Sequence, residues 1–253
     1  MATVEFPYID SFQHFDTIDS TNAEAGRFVQ KHPGLNALFV ADEQTAGRGR
    51  AQRTWHSPPR QGLWWSLLLG RSEWFPKNPN LLSLYTGLIT KFALEEWTTA
   101  RVQLKWPNDI YADGKKIGGV LIESKWQGNR PLYYTVGIGV NLYQQPEDFA
   151  PEVRSIATSL KHLGLKKDIH RPDILAALVH HFFQHWELMN APEAFVKQWE
   201  SEAIWLNEPV EISSREAPLT GVFRGVDTSG LAKIETAEGI VTVAAGDLSF
   251  RKR

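Results

Sequence analysis

The sequence predicts an α+β protein: a mixed, mostly antiparallel sheet with helices, followed by a small C-terminal β-barrel. Strand patterns cluster between residues 101 and 141, helical patterns lie on both sides of them, and short β-branched segments begin after Leu206. Strands and helices that come in separate runs are typical of α+β folds. We therefore expect two domains, residues 1–206 and 207–253.

Before residue 101 the patterns alternate between helix and strand. Thr21 and Glu24 form an S/T-x-x-E capping box, which predicts a helix that begins at Thr21. The stretch 42–60 is polar and rich in glycine and arginine, which predicts a long loop. The sequence also predicts that the first helix ends at residues 33–34. Strands are predicted over 37–41 and 63–69, and a second helix over 80–98.

The strand signals between residues 101 and 141 predict an antiparallel meander. Asp113-Gly114 is typical of a tight hairpin turn, and residues 127–129 form a second turn. The strands are predicted over 102–105, 119–126 and 131–140. The helices that follow are predicted over 174–189 and, beyond Pro192, through Phe195, Trp199 and Ala203.

After Leu206 the sequence is divided into five short β-branched segments. Strands this short and evenly spaced predict a small barrel. About fifty residues bury little core alone, so we expect this domain to lean on the larger one. The segments are 209–212, 220–226, 231–235, 240–243 and 248–251.

Composition excludes several classes of protein. The 253 residues include no cysteine, which excludes disulfides, zinc knuckles, iron–sulfur clusters and a thiolate nucleophile. Because 27 Lys+Arg face 29 Asp+Glu, no global basic surface for DNA is expected. The longest apolar stretch, residues 62–69, is far shorter than the roughly 20 residues of a membrane helix. We expect a cytoplasmic protein that binds neither nucleic acid nor membrane.

Two segments indicate anion chemistry. In Gly47-Arg48-Gly49-Arg50 the glycines allow close backbone approach, and each guanidinium grips a carboxylate or phosphate in two places. The alternative for this motif alone is a solvated loop whose arginines pair with nearby acids. In Lys105-Trp106-Pro107-Asn108-Asp109, the turn at 113–114 is predicted to fold Lys116 back onto Asn108 and Asp109.

Three weaker signals accompany these motifs. Residues 19–22 lie at a helix start, where free N–H groups favour anions and hydrogen-bond acceptors. The glycines at 118–119, and Gly137 with Gly139, predict either a ligand floor or room for a crossing helix. The histidines at 180, 181 and 185 have no acid at HExxH spacing, so no metal site is expected there.

Together these motifs resemble the biotin protein ligase family, in family order over nearly the whole chain. They are D-S-T-N at 19–22, Q-T-x-G-R-G-R at 44–50, Trp55, K-W-P-N-D at 105–109, Lys116 with Gly118-Gly119, G-I-G-V-N at 137–141 and G-D-L-S-F-R at 246–251. The resemblance implies an ATP-dependent ligase that makes biotinyl-5′-AMP and passes biotin to a lysine of a biotin carboxyl-carrier domain of acetyl-CoA carboxylase or a related carboxylase. It also implies an α+β catalytic domain with a C-terminal SH3-like β-barrel. We expect the monofunctional type, and the sequence leaves open whether it is a monomer or a homodimer.

The resemblance also implies three sets of site residues. For biotin they are Ser20, Thr21, Asn22, Gln44, Arg48, Gly49, Arg50, Lys116, Gly118 and Gly119. For the nucleotide they are Arg50, Trp55, Lys105, Asn108, Asn141 and Arg251. The catalytic set is Lys116, Arg48, Arg50 and Asp109, with Mg²⁺ on the ATP phosphates and Asp109 as the residue nearest to it. The loop departs from the family's more basic form at Ala51, Gln52 and Thr54.

Three other functions stay open at this point. Lipoate or octanoate transfer uses a related fold, but the G-R-G-R and K-W-P-N-D motifs favour biotin. A biotin-sensing repressor needs a helix-turn-helix, and only nineteen residues precede Ser20. A catalytically silent binding protein is disfavoured because both arginines and Lys116 are present.

We predict that residues 46–55 are mobile without ligand and become ordered on binding biotin or the adenylate. The segment has too few apolar residues to pack by itself. Limited proteolysis should therefore cut this loop more slowly when biotin and ATP are present. Equal cleavage rates with and without them would show that the prediction is wrong.

Overall fold

The computed structural model describes residues 6–213 and 218–250, which form two β-sheets and four α-helices. The larger sheet has seven strands in the order β1-β2-β3-β7-β6-β5-β4. Its strands are β1 (Ser11–Ile18), β2 (Ala37–Gln44), β3 (Gly62–Leu69), β4 (Val102–Lys105), β5 (Asp109–Ala112), β6 (Lys115–Gln127) and β7 (Arg130–Asn141). Strands β1 and β2 are parallel, and the other neighbouring pairs are antiparallel.

The larger sheet separates two apolar clusters. On one face, β3 and β7 contribute residues such as Trp65 and Val136 to a core that is covered by three helices. On the other face, Phe28 of the first helix packs against Phe39 and Leu68. The helices are α1 (Thr21–Lys31), α2 (Leu81–Glu95), α3 (Arg171–Gln184) and α4 (Pro192–Ser201). None of the helices described is long and apolar enough to cross a membrane.

The C-terminal segments form a second, five-stranded antiparallel sheet in the order β11-β10-β9-β8-β12. Its strands are β8 (Pro209–Ser213), β9 (Leu219–Val226), β10 (Ala232–Thr236), β11 (Gly239–Val243) and β12 (Asp247–Phe250). All five predicted strands are present. Over the residues described, no ladder joins the edge strands β11 and β12, so the five strands of the predicted barrel are present without closure between its edges.

The second sheet packs against the larger domain, as was expected from its small size. Its backbone supplies the polar contacts: the Trp106 indole donates to the Gly230 carbonyl at 3.1 Å, and the Glu200 carboxylate accepts from the Val226 amide at 2.9 Å. Trp106 is 1% exposed, so this contact is sealed from solvent. The K-W-P-N-D segment is thereby tied to both domains.

The structure differs from the sequence-based predictions in several local details. Strands β1 and β5 were not predicted, because β1 alternates polar residues on an open edge and β5 is only four residues long. The helix expected over 174–189 ends at Gln184 and continues as a 3-10 turn, and Ala203 lies beyond α4. Helix α1 begins at Thr21, but Ser20 is its N-cap and no side chain caps it. The Thr21 side chain is directed to other partners, described below.

Two of the three histidines, His181 and His185, form a hydrogen-bonded row with Glu96 at the C-terminal end of α3. His181 lies 2.9 Å from Glu96 through Nε2 and 3.3 Å from His185 through Nδ1. No group of three potential metal ligands occurs among the described residues. Burial, and then the neighbouring His181 and His180, lower the pKa of His185.

We predict that His185 makes stability fall as the pH falls. The unfolded chain binds a proton below about pH 6.5, whereas folded His185 resists it, so the free energy of unfolding decreases below that pH. Urea unfolding at about pH 7.5 and about pH 5.5 should show a smaller loss for His185→Gln than for the unaltered protein. His32→Gln, at an exposed position, is the control. Equal losses in all three proteins would contradict the assignment.

Candidate functional site

A cavity of about 820 Å³ opens beside the face of β7 that carries Gly137, Gly139 and Asn141. Because alternate residues of a strand share a face, these three positions form a row about 13 Å long. Thirteen of the predicted site residues line the cavity: Ser20, Thr21, Gln44, Arg48, Gly49, Arg50, Trp55, Lys105, Asn108, Asp109, Lys116, Gly119 and Asn141.

At one end of the cavity, buried side chains form a continuous hydrogen-bonded chain at the start of α1. The Gln44 Oε1 accepts from both the Thr21 amide at 2.9 Å and the Thr21 hydroxyl at 3.1 Å. Gln44 Nε2 donates to the Ser57 hydroxyl at 2.9 Å. The Thr21 side chain therefore takes part in this network and does not cap the helix. These bonds present fixed donors and acceptors to a polar, uncharged group.

Ser66 extends this chain into the sheet. Its hydroxyl lies 2.7 Å from Thr21 Oγ1 and 2.6 Å from Asn22 Oδ1, in a fully buried position. Asn22 in turn donates to the Glu123 carboxylate at 2.8 Å. Asn22 does not line the cavity; its carboxamide fills the space that a side chain at Gly137 would need. Asn22 therefore lies behind the cavity wall and holds in place the residues that form the wall.

The G-R-G-R loop closes over the cavity as a narrow turn. The Trp55 amide donates to the Gly47 carbonyl at 2.9 Å, and the Gly49 amide donates to the Arg53 carbonyl at 2.7 Å. At its tip, Ala51 and Gln52 both have positive φ, at 52° and 62°. Two non-glycine residues in this conformation store backbone strain, which favours a loop that changes conformation.

The arginines of the loop are held by both domains. Arg48 pairs with Glu123 at 3.0 Å. Arg50 donates to Asn108 Oδ1 and to the Gly246 carbonyl, each at 3.3 Å. Burial lowers the pKa of Arg50 from its ordinary value. A half-buried guanidinium with long, imperfect bonds is well suited to accept a stronger anionic partner.

A cluster of two lysines and one carboxylate lies beside the loop. Lys116 Nζ is 2.5 Å from Asp109 Oδ1, and Lys105 Nζ is 3.6 Å from Asp109 Oδ2. The Lys116 backbone is fixed on both sides, since its amide donates to Ile156 and its carbonyl accepts from Thr158. The hairpin turn therefore brings Lys116 to Asp109 as predicted. Two cations share one anion, which leaves net positive charge in the cavity.

The environment of this cluster also raises the pKa of a neighbouring tyrosine. Burial, and then the charge of Asp109, raise the pKa of Tyr111 to about 12. Its hydroxyl lies 3.4 Å from Lys105 Nζ. Tyr111 therefore stays neutral over the ordinary pH range and serves as a wall for Lys105, whose ammonium lies 5.3 Å from the ring centroid.

The glycines at the floor have different roles. Gly119 faces the cavity, where an added Cβ would lie 3.4 Å from both Lys116 and Trp55. At Gly139, an added Cβ would meet the Trp55 indole at 2.5 Å, so the bare backbone is what lets Trp55 lie on the strand. Gly118 faces the opposite way, toward Ile110, and does not line the cavity.

Several cavity residues were missed by the sequence analysis. They are Glu147 to Arg154 and Asp247 in its wall, with Ser57, Ser66 and Glu123 behind it and Gln144 at its far end. Only Ser66 carries a clear signal, as a lone hydroxyl in the apolar strand Gly62–Leu69. Arg251, assigned to the nucleotide, lies outside the described residues.

Residues 14–141 match the biotin/lipoate A/B protein ligase family, and residues 205–251 match the biotin protein ligase C-terminal domain. The chain is 33% identical to the bifunctional ligase/repressor BirA of Bacillus subtilis, over 94% of this chain and 73% of that protein. It is 30% identical to the biotin–[acetyl-CoA-carboxylase] ligase of Paracoccus denitrificans, over 92% and 97%.

A solved structure of biotin protein ligase from Aquifex aeolicus, in complex with biotin and ATP, superposes with a TM-score of 0.79. The sequence identity is 31%, covering 97% of this chain and 100% of that one. The chain therefore belongs to the biotin/lipoate A/B protein ligase family. Within that family it is a biotin protein ligase, because its C-terminal domain and these relatives are of that kind.

We predict that Ser66→Ala destabilises the fold. The change leaves Asn22 Oδ1 buried without its donor, which should lower the free energy of unfolding by about 1–3 kcal/mol. Ser124→Ala, on exposed backbone of β6, should change it by less than about 0.5 kcal/mol. Denaturant unfolding measures the free energy of unfolding of both variants. Equal losses in Ser66→Ala and Ser124→Ala would show that the hydrogen bond from Ser66 to Asn22 does not stabilise the fold.

Proposed function

We propose that the protein joins biotin to ATP, giving biotinyl-5′-AMP and pyrophosphate, and then transfers biotin to a lysine of a carboxyl-carrier domain. One observation carries the proposal: a neutral hydrogen-bonding end and a cationic centre lie along one cavity. Biotin has a neutral, urea-like ring at one end and a carboxylate at the other. The cavity matches both ends in order.

The roles along the cavity follow from this match. Thr21 and Gln44 would face the ring of biotin, with Ser66 and Asn22 fixing them from behind. Lys116 would lie at the carboxylate and the α-phosphate. Residues 48–50 would close over the bound molecules, and Trp55 would cover the floor at Gly139.

Charge repulsion is the problem that the cationic centre solves. Two unit charges about 4 Å apart, at an effective dielectric of about 20, repel by about 4 kcal/mol. The biotin carboxylate must approach the α-phosphate against such repulsion. Lys116, Lys105 and Arg50 offset it and stabilise the charge that develops at phosphorus during in-line attack.

The residues present fit Mg²⁺ only as a part of the substrate. Asp109 offers oxygen ligands, but both of its oxygens face lysines, and no cluster of three potential ligands is found in the described residues. Mg²⁺ commonly binds through one or two carboxylates and substrate phosphates. We therefore assign it to Mg-ATP, where it supplies charge neutralisation, with Asp109 as at most one ligand.

The division into residues 1–206 and 207–253 carries a role in this proposal. Arg53 pairs with Asp247 at 2.7 Å, and Arg50 reaches the Gly246 carbonyl, so β12 and the turn before it hold the closing loop. The smaller domain would then complete the nucleotide end of the site. The acceptor of biotin would be the carrier domain of acetyl-CoA carboxylase or a related carboxylase, as the names of the relatives indicate.

Incubation with biotin, Mg-ATP and a biotin carboxyl-carrier domain tests the proposal. Mass measurement should show one added biotin on the carrier domain, and none when ATP is omitted. A parallel reaction with lipoate and a lipoyl domain tests the alternative substrate. Modification of the lipoyl domain in place of the carrier domain would overturn the biotin assignment.

We predict that Lys116→Ala lowers biotin-dependent ATP–pyrophosphate exchange by about 100-fold or more, because it removes a preorganised charge at the reacting carboxylate and phosphate. Lys115→Ala changes the adjacent, exposed lysine and should exchange at close to the normal rate. Adenylate formation by Lys116→Ala at the normal rate would contradict the placement of Lys116 at the biotin carboxylate and the α-phosphate.

A further inference from the structure

Trp205 lies at the junction of the two domains, between α4 and β8, with its ring against Lys105. The Lys105 Nζ is 5.4 Å from the centroid of the Trp205 ring and 5.3 Å from that of the Tyr111 ring. The two rings meet edge to face, with their centroids 6.4 Å apart. Lys105 and Tyr111 line the cavity, whereas Trp205 lies behind them. The ammonium is therefore held by two aromatic rings in the wall of the site.

The backbone before Trp205 fixes the place of its ring. The Leu104 amide donates to the Glu202 carbonyl, and the Ile204 amide donates to the Leu104 carbonyl, each at 2.9 Å. Because Leu104 directly precedes Lys105 on β4, this pairing brings Trp205 to the side of the lysine. The φ of Trp205 is 60°, a conformation that is uncommon for a bulky residue and persists only where the surroundings impose it. The fold therefore holds the ring against the lysine in spite of local strain.

Aromatic rings stabilise a cation without neutralising it. The face of a ring attracts an ammonium through its quadrupole, and tryptophan does so best. Asp109, 3.6 Å from Lys105, is shared with Lys116, which lies closer to it. A second carboxylate beside Lys105 would cancel the positive charge of the site and compete with an anionic ligand. The two rings carry no net charge, so they hold the lysine while its charge stays available to a ligand.

We propose that Trp205 is a positioning residue for the phosphates of ATP, and that it acts by holding Lys105 together with Tyr111. This inference rests on the proposed function, because it takes the anion beside Lys105 to be the triphosphate. Trp205 also lies against Phe250 of β12, with ring centroids 6.2 Å apart. The packing of the smaller domain is thereby coupled to the affinity for the triphosphate through one side chain.

The test measures equilibrium binding of Mg-ATP and of biotin, each alone, together with KM and kcat for biotin-dependent pyrophosphate exchange. In Trp205→Leu, Kd and KM for Mg-ATP should rise about 5-fold while Kd for biotin changes by less than about 2-fold, because only the cation–π contact to Lys105 is lost. Trp205→Phe keeps an aromatic face and should restore most of the affinity for Mg-ATP. Trp126→Leu removes an exposed tryptophan of β6 and should leave these constants unchanged.

Lys105→Met shows whether Trp205 acts through the lysine. Adding Trp205→Leu to Lys105→Met should weaken Mg-ATP binding no further, since residues that act together give non-additive losses. Additive losses would show that Trp205 acts by another route and would overturn the inference. Unchanged Mg-ATP binding in Trp205→Leu, or equal losses of Mg-ATP and biotin binding, would overturn it as well.

Binding and exchange together separate this inference from the proposed function. An unaltered protein that carries out no exchange, but whose Mg-ATP binding weakens in Trp205→Leu alone and not on the Lys105→Met background, would support the inference and contradict the ligase function. Normal exchange with the same KM for Mg-ATP in Trp205→Leu would contradict the inference alone. Absence of Mg-ATP binding by the unaltered protein would contradict both.

Discussion

The site depends on the sharing of one carboxylate, Asp109, by two lysines. A ligand with several negative charges needs several cations close together, and unscreened cations repel one another by the same Coulomb term that attracts the ligand. Asp109 holds Lys105 and Lys116 together while the cavity is empty. The backbone of Lys116 is fixed independently by residues 156 and 158. The cationic centre is therefore assembled before any substrate arrives.

Around this centre, the polar groups form two separate networks at opposite ends of an apolar frame. One network joins Thr21, Gln44 and Ser66, and the other joins Asn141, Gln144 and Thr158. In each, a backbone group fixes the orientation of the first amide, and every later partner follows from it. Rigid donors and acceptors lose little entropy when a ligand binds, which favours specificity at both ends.

The closing loop contrasts with these fixed networks. Its arginines bind Glu123, Asn108 and the turn before β12 through exposed or long contacts, which contribute little stability. Its tip carries two residues with positive φ. A loop held by weak contacts and local strain can exchange these partners for phosphate or carboxylate oxygens. The smaller domain contributes to the site mainly by holding this loop.

The sequence by itself determined the family, most strands and helices, and thirteen residues that line the cavity, because motifs and periodicity are local properties. The hairpin at Asp113-Gly114 even fixed the approach of Lys116 to Asp109. Only the tertiary structure decided which face each glycine presents: Gly118 faces Ile110, and Asn22 fills the space beside Gly137. It also revealed Ser66, Glu123 and Gln144, whose partners lie on distant strands and turns. Hydrogen bonds between residues far apart in sequence depend on strand register and domain packing, which no local pattern records.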